Sequence, residues 1–218
     1  MILSLFYKEW LKTRWMVIFS LIIGVGAILY LFIELNSNII NSGGKANYIY
    51  NWFTMGGRDH FAILQNLPLI FAILIGVSQY YPEVSGKRIK LTLHLPSHNT
   101  TLLYLMVMYG FLVITSIFML MLALYYSVEL SVFPAQIGAM SLNAITPWML
   151  KGLIAYFFVS FVAMEPTLKF RFVYSVAIVL FFTAIIHKSA NYPLLLTTLL
   201  VSSLSILYSA KRFIIGEN

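Results

Sequence analysis

The residues that come nearest to phosphate chemistry in this 218-residue sequence lie in a polar segment at 81–100. A nucleotide-binding loop has the pattern Gly-x-x-x-x-Gly-Lys-Ser/Thr, in which backbone N–H groups surround the phosphates and the hydroxyl binds magnesium. Here Gly86 and Lys87 match, but Tyr81 stands where the first glycine belongs and Arg88 replaces the hydroxyl residue. The chain therefore does not bind ATP through such a loop.

Other reactive patterns are missing as well. The sequence has no His-Glu-x-x-His motif, no Gly-x-Ser-x-Gly motif and no cysteine, so it lacks common zinc, serine and thiol signatures. Carboxylates within apolar runs are the usual basis of proton-coupled transport, but Glu34, Asp59, Glu129 and Glu165 all fall at the ends of such runs. We expect no catalytic residue, bound cofactor or metal in this chain.

The surroundings of the polar segment are unusually apolar. Hydrophobic residues make up 61% of the chain and charged residues 10%, with a mean hydropathy of +0.88, whereas soluble domains carry about 25% charged residues. This composition indicates an integral membrane protein. The net charge of +7 does not indicate nucleic-acid binding, because most Lys and Arg residues lie at the ends of apolar runs, where they orient a membrane protein.

The apolar runs predict an all-α polytopic membrane domain covering residues 1–218. A span needs about 20 residues, since about 30 Å of hydrocarbon is crossed at about 1.5 Å per residue. Six spans are predicted, at about 15–34, 61–80, 102–126, 147–164, 172–187 and 193–210. Thr146 and Pro147 are predicted to be the N-cap and first residue of the fourth span.

Residues 1–14 predict an amphipathic helix that lies in the headgroup plane. One face carries apolar residues at helical spacing, and the opposite face is polar. The apolar face comprises Ile2, Leu3, Phe6 and Trp10, and the polar face comprises Ser4, Lys8 and Lys12. The alternative is a cytoplasmic extension of the first span.

The distribution of Lys and Arg predicts the orientation. With six spans and both termini on one side, ten of these residues lie on that side and four on the other. The positive-inside rule assigns the richer side to the cytoplasm. The segment 81–100, with Lys87, Arg88 and Lys90, is then a cytoplasmic loop, and we expect the chain in the inner (cytoplasmic) membrane of a bacterium.

Two features within the predicted spans could belong to a transport pathway. Gln65, Asn66 and Pro68 interrupt the outer part of the second span, where the proline should kink the helix; a helix end that dips into the interface is the alternative. Lys151 is predicted one turn inside the outer end of the fourth span. It either reaches the headgroups by snorkelling or faces a substrate.

The order of these parts resembles the transmembrane (permease) subunit of a type-2 ABC exporter. That family has an amphipathic N-terminal helix, six spans, an outer loop after the first span and a charged inner loop between the second and third. Within the loop, Glu83, Gly86-Lys87 and Leu93-His94-Leu95-Pro96 are similar to the family's acidic residue, glycine followed by a base, and leucine-proline pair. The sequence departs from the family at 187–193, where a short turn stands in place of a hairpin of half-helices.

The resemblance implies that the loop is a coupling helix seated in a groove of a separate cytoplasmic ABC ATPase, which would bind the ATP and magnesium. It also implies a second permease subunit, in a homodimer or a heterodimer. The residues implied to contact the ATPase are Glu83, Gly86, Lys87, Arg88, Lys90, Leu93 and Pro96. Two alternatives stay open: a solvated basic loop that contacts membrane lipids and, for the whole chain, a non-transporting integral membrane scaffold or assembly factor.

Overall fold

A computed structural model describes residues 2–54, 62–85, 99–165, 167–186 and 191–215. Within these ranges the chain forms seven α-helices and no β-strand, so the predicted all-α fold is confirmed there. The helices are α1 (Ile2–Asn41), α2 (Lys45–Thr54), α3 (Leu67–Ser85), α4 (Asn99–Val132), α5 (Ala135–Ala163), α6 (Leu168–Phe181) and α7 (Tyr192–Ile215). A 3-10 turn at Ala62–Leu64 precedes α3, and a π turn at Phe182–Ile186 follows α6.

Four segments of the described chain are long and apolar enough to cross a membrane. They are Leu3–Asn41, Ala62–Val84, Thr101–Val132 and Ala135–Ala163, and each overlaps one of the first four predicted spans. At the fifth predicted span, α6 has 14 residues, fewer than the roughly 20 that a span needs. The apolar part of α7, Tyr192–Ile206, is also shorter than the first four segments.

The bundle exposes apolar side chains and buries several polar ones. Trp15 and Ile22 on α1 are 67% and 66% exposed, whereas Glu9, Gln79 and Glu83 are fully buried. Large exposed apolar surfaces are unusual for soluble monomers, and buried polar groups that face the bundle interior are typical of membrane helices. The distribution of side chains therefore agrees with an integral membrane protein.

The first helix, α1, runs without a break from Ile2 to Asn41. The segment before Trp15 contains no glycine or proline that would end a helix, so it continues the first span, and no separate interfacial helix forms in 2–14. The structure also shows which side of this segment packs on the bundle. Leu3 is 84% exposed and Trp10 39%, whereas Leu5, Glu9 and Thr13 are buried. The stripe formed by Leu5, Glu9 and Thr13, at i, i+4 spacing, therefore packs on the bundle, and Leu3 and Trp10 point outward.

The central helix, α5, begins well before the predicted start of the fourth span. Pro147 lies inside it, and the Thr146 hydroxyl donates to a carbonyl of the preceding turn at 2.8 Å. Because proline has no N–H, Asn143 O loses its helical donor; the Tyr192 hydroxyl of α7 donates to this oxygen at 2.5 Å. The predicted helix start at Thr146-Pro147 is wrong, since a neighbouring helix supplies the hydrogen bond that the proline removes.

The packing of the bundle is centred on α5, which contacts α3, α4, α6 and α7, while α1 packs on α3 and α4. Gly152 permits a close approach of α3 and α4 to α5. A Cβ at this position would lie 2.8 Å from the carbonyl oxygen of Pro68 and 2.8 Å from the Phe118 ring. The backbones of α3 and α5 are therefore nearly in contact, as small residues allow in membrane bundles.

Candidate functional site

The predicted coupling loop is described only where it begins. Of the residues implied to contact an ATPase, Glu83 lies in the last turn of α3. The others, Gly86, Lys87, Arg88, Lys90, Leu93 and Pro96, lie outside the described residues. The candidate site is therefore built from Glu83 and the residues that hold it.

Glu83 is buried and forms ion pairs with two lysines of α1. Its Oε1 lies 3.0 Å from Lys8 Nζ and 2.5 Å from Lys12 Nζ. Lys12 Nζ also lies 2.5 Å from Glu9 Oε1. These four residues, which we call the inner ion cluster, join the start of the predicted loop to the N-terminal part of α1.

The inner ion cluster balances two carboxylates with two ammonium groups. The Lys12 side chain is 11% exposed and the Lys8 side chain 38%. Glu9 Oε2 and Glu83 Oε2 are buried without a hydrogen-bond partner in the described part of the chain. Removing one partner of a buried ion pair costs about 3–5 kcal/mol, because the remaining charge is left uncompensated. The cluster therefore fixes α1 and α3 relative to each other.

A pair of hydroxyl groups extends this contact from α1 to α4. The Thr13 hydroxyl donates to Glu9 O at 3.1 Å, so the Tyr109 hydroxyl, 2.9 Å away, is the donor to Thr13. The Tyr109 ring also packs edge-on against Phe6, with 5.6 Å between the ring centroids. The N-terminal part of α1 is thus held to α3 by charge and to α4 by hydrogen bonding and ring packing.

A buried amide and a buried phenol link α3, α4 and α5. Gln79 Nε2 donates to Met106 O of α4 at 2.7 Å. The Tyr156 hydroxyl of α5 lies 3.0 Å from both Gln79 Oε1 and Val107 O, and 3.4 Å from the Tyr80 hydroxyl. We call these contacts the Gln79–Tyr156 network. Because buried polar groups are costly when unpaired, the network should stabilise one arrangement of the three helices.

Gly110 of α4 makes the Gln79–Tyr156 network possible. A Cβ at this position would collide with the Tyr156 hydroxyl and with Gln79 Oε1. Gln79 and Glu83 are four residues apart on α3, so the network and the inner ion cluster lie on one face of that helix, a turn apart. Together they join α3 to α1, α4 and α5.

The predicted break at Gln65, Asn66 and Pro68 is the beginning of a helix. α3 starts at Leu67, the Ile70 N–H donates to Asn66 O at 3.1 Å, and Gln65 and Asn66 are exposed. Pro68 lies in the first turn, where no N–H is needed. The kink expected from Pro68 is absent, and the alternative of a helix end describes the structure.

Lys151 lies midway along α5, because that helix begins at Ala135 rather than at the expected position. Its predicted place one turn inside a helix end is therefore wrong. The residue is 8% exposed, and its neighbour Gly152 lies against the carbonyl oxygen of Pro68. The contact between α3 and α5 at Pro68 is therefore made by Gly152, the residue after Lys151, and Gln65 and Asn66 are on the surface.

Sequence reasoning missed Glu9, Gln79 and Tyr156 as parts of the site. For Glu9, the sequence did contain a signal, because a single acidic residue lies between Lys8 and Lys12 at the start of a long apolar run. Burying a carboxylate in such a helix is costly, and this cost implies a partner. Gln79 is likewise a lone amide near the end of an apolar run. Neither pattern identifies the helix that supplies the partner.

No group of three or more His, Cys, Asp or Glu side chains that could hold a metal ion occurs in the described ranges. Searches of known proteins also gave no lead: no family model, curated protein or solved structure matches this chain. The function must therefore be argued from the site itself.

Proposed function

We propose that this chain is the membrane-spanning (permease) subunit of an ATP-driven ABC exporter. A separate cytoplasmic ABC ATPase would bind ATP and magnesium, and its closure would push on the loop at 81–100. The observation that carries the proposal is the position of Glu83. The last turn of α3, where the loop begins, is ion-paired to Lys8 and Lys12 of α1.

A push on a loop moves a bundle only if the loop is attached stiffly. The inner ion cluster joins α3 to α1, and the Gln79–Tyr156 network joins α3 to α4 and α5. Neither set of contacts can separate without leaving buried polar groups unpaired. The four helices would therefore respond to the ATPase as one body, while Lys87, Arg88 and Lys90 pair with its carboxylates.

Two further spans and cytoplasmic termini belong to this proposal. With its π turn, the α6 segment extends from Leu168 to Ile186, about 27 Å at about 1.5 Å per residue, which is close to the hydrocarbon thickness of about 30 Å. α7 extends beyond its apolar part to Ile215. These lengths support spans at the fifth and sixth predicted positions, and hence six in total.

The test is isolation of the full chain from its own membrane in a mild detergent. We expect an ABC ATPase to copurify in a fixed ratio and the complex to hydrolyse ATP with sensitivity to vanadate. Glu83→Ala should reduce coupling, so that ATP is still hydrolysed but transport falls. Isolation of the intact chain without any ATPase would instead favour a scaffold.

The membrane side of the loop can be tested separately, because the chain contains no cysteine. Single cysteines at Lys87→Cys and Ser42→Cys are treated with a membrane-impermeant maleimide in intact cells. The proposal expects labelling at position 42, in the outer loop, and at position 87 only after the membrane is opened. Labelling of position 87 in intact cells would contradict the coupling role.

A further inference from the structure

A lateral groove of about 560 Å³ opens on the side of the bundle between α3, α5 and α6. Its walls are mostly aliphatic. They include Ile73 and Val77 from α3, Ala155 and Val159 from α5, and Ile178 and Val179 from α6. A cavity of this volume and character is in the range that holds small amphipathic ligands.

One charged residue, Arg171, is among the described residues that line the groove. Its Nη2 donates to Glu165 O at 2.6 Å and, more weakly, to Ala163 O at 3.4 Å, and so covers the C-terminal end of α5. Its Nε is buried without a hydrogen-bond partner, and no carboxylate in the described ranges forms an ion pair with it. The guanidinium therefore has a donor and a charge that the described part of the chain leaves uncompensated.

The electrostatics of this end of the groove favour an anion. α6 begins at Leu168, and its N-cap residue Thr167 makes no side-chain capping hydrogen bond. The N-terminus of a helix carries partial positive charge and unpaired N–H groups, and Lys169 adds a further cation nearby. The groove-lining hydroxyls of α6 and its π turn, those of Ser175 and Thr183, donate to backbone carbonyls of their own segment.

The length of the groove matches one leaflet of a bilayer. From Arg171 to Thr183, α6 and its π turn rise about 18 Å at about 1.5 Å per residue, and half of a hydrocarbon core of about 30 Å is about 15 Å. Arg171 lies on the side predicted to be cytoplasmic, where anionic lipids are concentrated. We propose that the groove binds an anionic phospholipid, with its phosphate at Arg171 and an acyl chain against Ala155 and Val179.

The test uses the full chain in nanodiscs of phosphatidylcholine that contain a small fraction of phosphatidylglycerol with a photoreactive acyl chain. We expect irradiation to label groove residues such as Ile73 and Val179, and unlabelled phosphatidylglycerol to compete about tenfold better than phosphatidylcholine. Both lipids carry a phosphate, but the quaternary ammonium of phosphatidylcholine is repelled by the positive end of the groove, and a tenfold ratio corresponds to about 1.4 kcal/mol. Equal competition by the two lipids would overturn the proposal, as would labelling spread evenly over outward residues such as Phe19 and Leu29 of α1.

Matched variants separate the groove from general attraction to basic residues. Arg171→Gln should remove the preference for phosphatidylglycerol, and Arg171→Lys should keep most of it. Arg14→Gln makes the same charge change on the same predicted side, at a residue that lies over Trp15 and away from the groove, and should leave the preference unchanged. An equal loss for Arg14→Gln and Arg171→Gln would contradict a specific site.

A photoreactive amino acid in place of Val179 tests whether lipid or a second protein chain occupies the groove. Adducts with lipid support the proposal, whereas a crosslink between two copies of the chain would show that a second copy covers the groove and would overturn it. The experiment needs no ATPase, so its outcome is independent of the exporter proposal.

Discussion

The two sides of this bundle are held by different kinds of contact. On one side, α1, α3, α4 and α5 are joined by buried ion pairs and hydrogen bonds among Lys12, Glu83, Gln79 and Tyr156. On the other side, α6 contains no buried residue, and its main contact with another helix of the described chain is with α5. Lipid tails are as apolar as leucine, so apolar contact alone gives little preference for helix over lipid. The polar contacts should therefore determine which helices move together.

Among the polar contacts, the largest effect is expected at the inner ion cluster. Glu83→Ala removes the ion pairs that Glu83 forms with Lys12 and Lys8. Because Lys8 is 38% exposed, we expect a loss of about 2–4 kcal/mol in the free energy of unfolding, at the lower end of the values for fully buried pairs. The measurement is reversible unfolding in bilayer nanodiscs.

The control for Glu83→Ala is Glu34→Ala, which removes an exposed carboxylate of α1 and should change stability by less than about 0.5 kcal/mol. The triple variant Glu9→Leu, Lys12→Met and Glu83→Leu replaces the buried charges by apolar groups and should recover much of the loss. If both single variants were equally mild, the inner ion cluster would not be what holds α1 to α3.

A smaller effect is expected in the Gln79–Tyr156 network. Tyr156→Phe keeps the ring but leaves Gln79 Oε1 buried without its donor. We expect a loss of about 1–3 kcal/mol, the usual cost of an unsatisfied buried group. Tyr104→Phe is the control, because Tyr104 is 42% exposed on α4 and should be nearly neutral. A neutral Tyr156→Phe would mean that α5 is held to α3 by packing alone.

The comparison also shows what the sequence could predict. Apolar runs identified the first four membrane-type helices, because run length is a local property. The ends of those runs predicted the helix ends less well. Proline is normally absent from the interior of a helix, but here the Tyr192 hydroxyl, distant in sequence, donates the hydrogen bond to Asn143 O that Pro147 cannot donate. The side of α1 that packs on the bundle was not predicted either. In a membrane an apolar face can contact lipid, so the apolar pattern does not show which face contacts protein. The pairing of Glu83 with Lys8 and Lys12 depends on how the helices pack in space. The spacing of residues along the sequence does not predict that packing.

The contact between α7 and α5 is intermediate, with hydrogen bonds from the Tyr192 hydroxyl to Asn143 O, at the proline, and from the Ser209 hydroxyl to Phe161 O at 3.3 Å. Tyr192→Phe should cost about 0.5–1.5 kcal/mol, because Asn143 O then loses its only replacement donor. In a Pro147→Ala background the helix regains its own N–H, so the same substitution should cost less. The difference between the two backgrounds, measured as a double-mutant cycle, isolates this hydrogen bond. An equal cost in both would assign the effect of Tyr192 to packing.

The smallest effect is expected on α6. Val173 is 56% exposed on its outward face and Ile114 of α4 is fully buried, so truncation to alanine contrasts a helix surrounded by lipid with one surrounded by protein. Ile114→Ala leaves a cavity and should cost about 2–5 kcal/mol, whereas lipid refills the space left by Val173→Ala, and the change should stay below about 0.5 kcal/mol. A large loss of stability for Val173→Ala in nanodiscs would show that another protein surface covers α6 in the bilayer. The contrast between the two sides of the bundle would then hold only for a single isolated chain.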